Sequence, residues 1–305
     1  MGKNADRKPV PAQDAATVIL LKEGRDKVPF EVLLMRRHKK QSFMAGAYVF
    51  PGGALEERDM FPEVKKFTGE MDGDRARILL NEPELEPRKA LGLFICAVRE
   101  MFEESGVLLA RDGSGRMLSL NGDGSERFSA YRKEVHRDDA GMFELAEREG
   151  IVYALDRLVP YARWIAPAVE KKRFDARFFV ARLPREQDAS HDRIELTDTV
   201  WMSPEEALTR QARQEILLFP PTLVTLMDIS EFGSLDELMN HAREKELFPT
   251  HPQAYKVEGG FGVKLPHDPE YDIEGYKRPE DTTRVSRVEL RDGKWTARCY
   301  DDPST

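Results

Sequence analysis

The chain has 305 residues, 40% of them hydrophobic, enough for one large domain or two small ones with a proper core. Lys and Arg number 47 against 55 Asp and Glu, a net charge of −8, which argues against a protein that wraps nucleic acid and leaves any polyanionic substrate in need of local basic groups or metal. Two cysteines (Cys96 and Cys299) make no disulfide framework, no apolar run reaches the roughly 18 residues of a membrane span, and neither a secretory signal nor a peroxisomal ending is visible, so the cytoplasm is the expected compartment.

Residues 1–14 read as a loose polar tail. Thr17–Lys22 and Phe30–Arg36 read as strands joined by a turn over Glu23–Pro29, and a basic run follows directly: Arg36, Arg37, His38, Lys39, Lys40. That run is either a solvated loop or a phosphate contact. Tyr48–Phe50 leads into the turn at Pro51-Gly52-Gly53. Residues 60–89 are rich in charge, Pro and Gly, and read as an insertion with a short helix around Arg75–Leu80.

Pro87–Ser105 has helical periodicity. Leu91, Phe94, Ile95, Val98 and Phe102 recur at three- and four-residue steps and share one face, while Glu100, Glu103 and Glu104 share another. At about 100° per residue the glutamates centre nearly opposite Val98. Like charges at this spacing disfavour an isolated helix, yet carboxylate oxygens on a rigid helix are what a hard divalent cation such as Mg²⁺ requires. The alternative is a solvated acidic face. Gly106 is placed to end the helix, and Arg99 stands i, i+4 from Glu103 and is positioned to hold it.

Val107–Ala110 reads as a strand, and Asp112–Gly115 and Asn121–Gly124 as turns, the second beginning like a calcium loop without its Gly and final Glu. Ser125–Glu149 reads as one charged amphipathic helix. Trp164-Ile165 and Phe174–Arg182 read as strands. Ser203 followed by Pro204 and two glutamates opens a helix, and Pro221–Ile229 and Ser234–Glu246 read as two more. Beyond about residue 250 the chain is Pro- and Gly-rich and ends in a hairpin, Ser286–Leu290 and Lys294–Tyr300, around Arg291-Asp292-Gly293. Strands on either side of the acidic helix, with helices elsewhere, predict an α/β fold with a mixed sheet packed between helices.

Arg99-Glu100-Met101-Phe102-Glu103-Glu104-Ser105-Gly106-Val107 fits R-E-U-x-E-E-x-G-U, with U a bulky apolar residue, and with Gly52-Gly53 upstream it resembles the two halves of a Nudix box. The halves are far apart: the position of the usual loop glutamate is taken by Asp59, and Arg99 follows 40 residues later instead of the usual eight, an insert of about 32 residues. The interruption, with Ser42-Phe43-Met44-Ala45-Gly46-Ala47-Tyr48-Val49-Phe50-Pro51 before it and Arg173–Phe179 after it, is similar to the long Nudix hydrolases that include coenzyme A and acyl-coenzyme A diphosphatases. The likeness covers residues 15–232.

This resemblance implies an α/β/α sandwich over 15–232, interrupted by the insert at about 60–89, with 233–305 as a C-terminal extension packed on it. It implies hydrolysis of a diphosphate in a nucleotide conjugate, coenzyme A or an acyl-coenzyme A, with Mg²⁺ or Mn²⁺ as cofactor. Glu103 and Glu104 would be the principal metal ligands, Glu100 a ligand or the base that activates water, the Gly53 carbonyl a further ligand, and Arg99 the residue that orients the glutamates. Glu195, near His191 and Asp192, is the candidate for one more acidic ligand. Arg36, Arg37 and Arg173, with Lys171 and Lys172, are candidates for substrate phosphates.

The alternatives are a Nudix hydrolase of NADH, ADP-ribose or nucleotide sugars, and a nucleotide-sensing Nudix domain without turnover. The expected partner is a small-molecule nucleotide diphosphate, with no nucleic acid and no membrane; a homodimer stays open. The insert is expected to emerge near the substrate entrance, so that deleting residues 61–86 would alter substrate choice more than metal binding.

Overall fold

The computed structural model describes residues 10–38, 45–60, 65–120, 124–189, 196–291 and 293–301. In chain order the first elements are β1 (Gln13–Glu23), β2 (Phe30–Arg37), β3 (Tyr48–Val49), β4 (Gly52–Ala54), α1 (Lys65–Thr68), α2 (Gly73–Leu79) and α3 (Pro87–Ser105). Then come β5 (Ala110–Arg111), α4 (Gly124–His136), α5 (Met142–Glu149), β6 (Val152–Tyr153), β7 (Val159–Ile165), β8 (Phe174–Arg182) and β9 (Leu196–Met202). Three helices follow, α6 (Pro204–Ala212), α7 (Pro220–Ser230) and α8 (Leu235–Glu244), and then strands β10 (Pro249–Thr250), β11 (Gln253–Val257), β12 (Gly260–Lys264), β13 (Val285–Arg291) and β14 (Lys294–Cys299).

These elements fall into two units. The larger comprises Ala15–Ala162 and Arg177–Phe248; the smaller comprises Met1–Asp14, Arg163–Ala176 and Pro249–Thr305.

The larger unit is built on a sheet with strand order β7-β8-β1-β2-β3, with β4 also pairing β1 and β9 also pairing β2. Its register places Ala16 opposite Gly53, Leu33 opposite Trp201 and Arg36 opposite both Tyr48 and Asp198. Successive residues Val18 to Leu21 and Val32 to Met35 are all fully buried. Side chains of a strand alternate between faces, so burial at both parities means that the sheet is covered on both sides, which explains why these strands read as unbroken apolar runs. The fold is therefore the α/β class expected.

α3 forms as its sequence predicts. Glu86 caps it by accepting from the N–H groups of Arg88 and Lys89, Pro87 fills the first helical position, and Gly106 ends it in the left-handed conformation (φ 76°) with its N–H on the carbonyl of Phe102. Its apolar side chains share one core with Ala16, Val18, Leu20, Leu33 and Met35 of the sheet and with Phe179 and Ala181 of β8.

The insert belongs to that core. Phe67, Met71, Ala76 and Leu80 are buried in the same cluster as α3, and Glu82 makes a buried bidentate pair with Arg177 of β8, at 2.9 Å and 2.7 Å. Removing residues 61–86 would therefore strip α3 of packing partners, beyond the change of substrate choice expected from that deletion. The apolar pairs Phe67/Met71 and Ala76/Leu80 stand at helical i, i+4 spacing inside a charged stretch, and composition hid them.

Two other expectations change. The single helix over Ser125–Glu149 is two, because Asp138 takes a left-handed backbone (φ 62°) and Gly141 an extended one at the cap of α5. The strand expected at Val107–Ala110 survives only as Ala110–Arg111, paired with β6.

In the smaller unit Arg163 and Trp164 pair in parallel with Pro249 and Thr250, and β11 to β14 form an antiparallel sheet in sequence order. The expected terminal hairpin is β13–β14; Asp292 of its turn lies outside the described residues, as do residues 1–9 of the expected tail and Asn121–Asp123 of the second turn. Asp268 is fully buried, where its carboxylate accepts from Arg287 and Ser286. Burial alone would raise its pKa, but these donors and the N–H of Glu270 hold it below the ordinary value.

Breaking a buried ion pair by removing one charge destabilises far more than losing an exposed one. With side chains of Glu82 and Arg177 only 8% and 3% exposed, Glu82→Gln is expected to lower the unfolding free energy by about 3–5 kcal/mol in urea denaturation. Asp74→Asn, which breaks the exposed Arg77–Asp74 pair on α2, should change it by less than about 1 kcal/mol.

Candidate active site

The two halves of the interrupted motif meet. Ala16 of β1 pairs with Gly53, which lays β4 along the sheet beside α3. Gly52 donates its N–H to Glu104 Oε2 at 2.9 Å. A side chain at Gly53 would put its Cβ 2.3 Å from Glu100 Oε1, so glycine is what allows this glutamate to lie against the β4 backbone. The carbonyl of Gly53 is 3.8 Å from the thiol of Cys96.

The acidic face of α3 is buried. Glu100, Glu103 and Glu104 are 9%, 7% and 9% exposed, and Arg99 among them 1%. The periodicity put these glutamates opposite the core correctly, but β4, the 55–60 loop and α4 cover that face as well.

Arg99 organises the interior. Its Nε and Nη2 grip both oxygens of Asp59 at 2.7 Å and 2.9 Å, Nη1 reaches Glu100 Oε1 at 2.8 Å and Glu103 Oε1 at 3.3 Å, and Nη2 also donates to the carbonyl of Ala54 at 2.9 Å. Planar, bidentate pairing of this kind is particular to arginine. Asp59 is fully buried and also accepts the N–H of Glu56 at 2.9 Å, which fixes the single 3₁₀ turn at Glu57–Asp59. Its position in the motif thus serves to anchor Arg99.

Burial, with Glu103 adding like charge, pushes the pKa of Glu100 up to about 7 in spite of Arg99. Burial likewise raises Glu103, against the pull of Arg99 and Arg58. Burial would lower Arg99, but its bonds to Asp59 and the charge of Glu100 carry it above the usual arginine value. The Cys96 thiol is pushed up by burial and by Asp59, which keeps it protonated.

Residues that perturb one another this strongly in a buried cluster mark a candidate functional site. Among the described residues, no three acidic, histidine or cysteine side chains already converge as a cage for a metal ion. Arg99 stands between Glu100 and Glu103, and Glu104 is turned to Gly52.

Three basic residues of this site, Arg58, Arg132 and His136, carried no signal in the sequence. Arg58 donates to Glu103 Oε1 at 3.3 Å, Arg132 of α4 donates to the carbonyls of Glu103 and Glu104, and His136 Nδ1 lies 3.9 Å from Glu103 Oε2. Arg58 stands beside Asp59 in sequence, but nothing local marks the two residues of α4, which arrive by tertiary folding.

The remaining candidates are dispersed. Arg36 lies over the ring of Tyr48, whose hydroxyl is 3.4 Å from Asp198. Arg37 follows Arg36 on β2 at a register irregularity with β9, and its Nε is buried without a hydrogen-bond partner among the described residues. Arg173 lies in the smaller unit, on the carbonyls of Ala166 and Val10, and Lys172 lies over Phe174. Glu195, His191 and Asp192 fall outside the described residues, as do Lys39, Lys40 and Ser42–Met44.

Comparison with known proteins places this geometry in context. Residues 12–229 match the NUDT19 Nudix domain. The chain is 30% identical over 298 aligned residues to the acyl-coenzyme A diphosphatase NUDT19 of Gallus gallus, an alignment spanning 87% of this chain and 78% of that protein. It is 27% identical over 294 residues to the protein of the same name from Xenopus laevis, spanning 82% and 74%. Among solved structures, a NUDIX hydrolase from Alicyclobacillus acidocaldarius is similar with a TM-score of 0.61 and 24% identity, over 75% of this chain and 96% of that one.

Asp59→Asn removes the charge opposite the buried Arg99 guanidinium and is expected to lower stability by about 3–5 kcal/mol. Asp59→Glu restores the charge but adds a methylene to a filled space, for about 1–3 kcal/mol. Chemical denaturation of the two variants should give that order; equal losses would remove Arg99–Asp59 as the anchor of the site.

Proposed function

Because the chain belongs to the NUDT19 Nudix domain family and is a Nudix hydrolase, we propose that it hydrolyses the diphosphate of coenzyme A or an acyl-coenzyme A with the help of a divalent cation, Mg²⁺ or Mn²⁺. The observation that carries the reading is the burial of Glu100, Glu103 and Glu104 in one cluster, with Glu100 against Gly53, Glu104 on the N–H of Gly52 and Glu103 on Arg99. The acyl-coenzyme A diphosphatases among the relatives support the substrate.

The residues suit such a cation. They offer hard carboxylate oxygens, and burial raises the pKa values of Glu100 and Glu103 in spite of the guanidiniums beside them, so a bound cation would favour their charged forms. Glu103 and Glu104 would hold the ion, with Glu100 or the carbonyl of Gly53 completing the set. The chemistry such an ion supplies is neutralisation of the diphosphate oxygens and a lower pKa for water.

The chain's own residues supply the rest. A buried carboxylate poised near neutrality is suited to take a proton from attacking water, and Glu100 is our candidate for that base. Arg99 keeps Glu100 and Glu103 in register, and Asp59 keeps Arg99 in place. Closing this charge cluster away from bulk water strengthens each interaction within it. Arg36 and Arg37 are our candidates for the phosphate oxygens away from the scissile bond, by charge alone. We propose the cytoplasm as the compartment of the protein, on the sequence alone.

Incubation with coenzyme A and Mg²⁺ is expected to release phosphopantetheine and adenosine 3′,5′-bisphosphate, and acyl-coenzyme A the corresponding acyl-phosphopantetheine. Chromatography of a panel that adds ADP-ribose, NADH, nucleotide sugars and dinucleoside polyphosphates ranks the substrates, and faster turnover of another member would reassign the substrate class. Glu103→Gln should lower kcat by more than the about 10–100-fold that loss of an outer-shell partner causes, in a protein that its melting curve shows to be folded. Ligand binding without turnover, indifferent to metal and to this substitution, would instead mean a sensor.

A further inference from the structure

The carboxylates of α3 stand at the unfavourable end of its dipole. The C-terminus of a helix carries partial negative charge and carbonyls without intrahelical donors, and α3 has no basic residue in its last turn. Compensation arrives from α4 and from the 55–60 loop. Arg132 donates Nε to the carbonyl of Glu103 at 2.8 Å and Nη2 to the carbonyl of Glu104 at 2.6 Å. With Gly106 N–H on Phe102, three consecutive carbonyls at this end each have a donor.

Arg58 meets Glu103 at the carboxylate instead. It is tied to α4 as well, donating to the carbonyl of Val135 at 2.8 Å and pairing with Asp138 at 2.9 Å. Phe128 and Val135 of α4 are buried in the core that holds α3, so Arg132 acts from a packed element and Arg58, in the 55–60 loop, is tied to it.

We infer that α4 and the 55–60 loop clamp the carboxylate end of α3 through two arginines, Arg132 and Arg58, with opposite effects on metal binding. Arg132 is a positioning residue that fixes the backbone from which Glu103 and Glu104 project. Arg58 is a counter-cation that competes with the divalent ion for Glu103. The inference rests on the metal reading above.

Its physical basis is that a planar guanidinium can bridge two carbonyls in fixed geometry, whereas an ammonium is a point charge. Outer-shell partners of this kind orient metal-ligating side chains. Removing a cation beside a carboxylate leaves that carboxylate freer to accept another.

The test is Mn²⁺ titration of the metal-free full-length protein without substrate, followed by the electron paramagnetic resonance of free Mn²⁺, with a melting curve for every variant. Arg132→Ala should weaken Mn²⁺ binding about 10–100-fold, with Arg132→Lys in between. Arg58→Gln should tighten it by about 2–5-fold, the scale of a partly exposed ion pair. Native affinity in a folded Arg132→Ala protein overturns the clamp, as does weakening by both substitutions alike, which general loosening would produce. If Arg132→Ala does not fold, Arg132→Lys decides, and native affinity there overturns the proposal. Glu103→Gln in the same titration separates the two readings: Mn²⁺ binding that it leaves unchanged removes the metal site, while binding that it abolishes, together with an indifferent Arg132→Lys, removes only the clamp.

Discussion

The buried guanidinium of Arg99 is the constraint on which the site depends. Around it are gathered Asp59, Glu100, Glu103 and Glu104, four carboxylates less than a tenth exposed about one buried guanidinium, with Arg58 on the carboxylate of Glu103 and Arg132 on the carbonyls of Glu103 and Glu104. A folded chain ordinarily avoids such an excess, because charge taken out of water destabilises unless it is paired. Asp59 resolves one part of it by taking Arg99 in a bidentate grip. What remains is an interior of perturbed carboxylates held together by a buried cation, a combination that marks a functional site more than a stable scaffold.

The same cluster explains why glycines stand where they do. β4 is brought against α3 by its pairing with β1, and the approach is so close that Gly53 could carry no side chain without displacing Glu100. Gly52 meanwhile contributes a backbone N–H to Glu104. The glycine pair is thus one wall of the acidic interior, and the sheet, through the register of β1, places that wall.

Much of this was legible in the chain itself. α3 was readable to the residue because three signals agree there: Pro at its start, Gly at its end and an apolar period between. The motif supplied Arg99 and the three glutamates. What the sequence did not disclose came from long-range contacts. Arg132 and His136 lie on a helix whose charged residues look alike from one dimension, and only folding distinguishes those that face α3. β9 went unread although Thr199, Val200 and Trp201 are good strand formers, since Asp198 and Thr197 interrupt the apolar pattern. β11 and β12 were obscured by the Pro and Gly around them. The insert's share of the core was hidden because its exposed charges outnumber its few buried apolar residues.

The interruption of the motif then becomes intelligible as a matter of magnitudes. Bringing Asp59 and Arg99 together closes a loop of 40 residues where the usual spacing closes one of eight. Loop-closure entropy grows only with the logarithm of length, so this fivefold increase costs about 1.4 kcal/mol. Burying one large apolar side chain contributes about 1.5–3 kcal/mol, and the insert buries Phe67, Met71 and Leu80 against the core of α3. The gain from two of these side chains alone exceeds the closure term, and Glu82 on Arg177 gives the segment a defined seat on β8. A Nudix box can therefore be divided without loss of geometry, provided that the inserted chain brings its own share of the core, because the geometry is held by Arg99 and Asp59 and not by the length of chain between them.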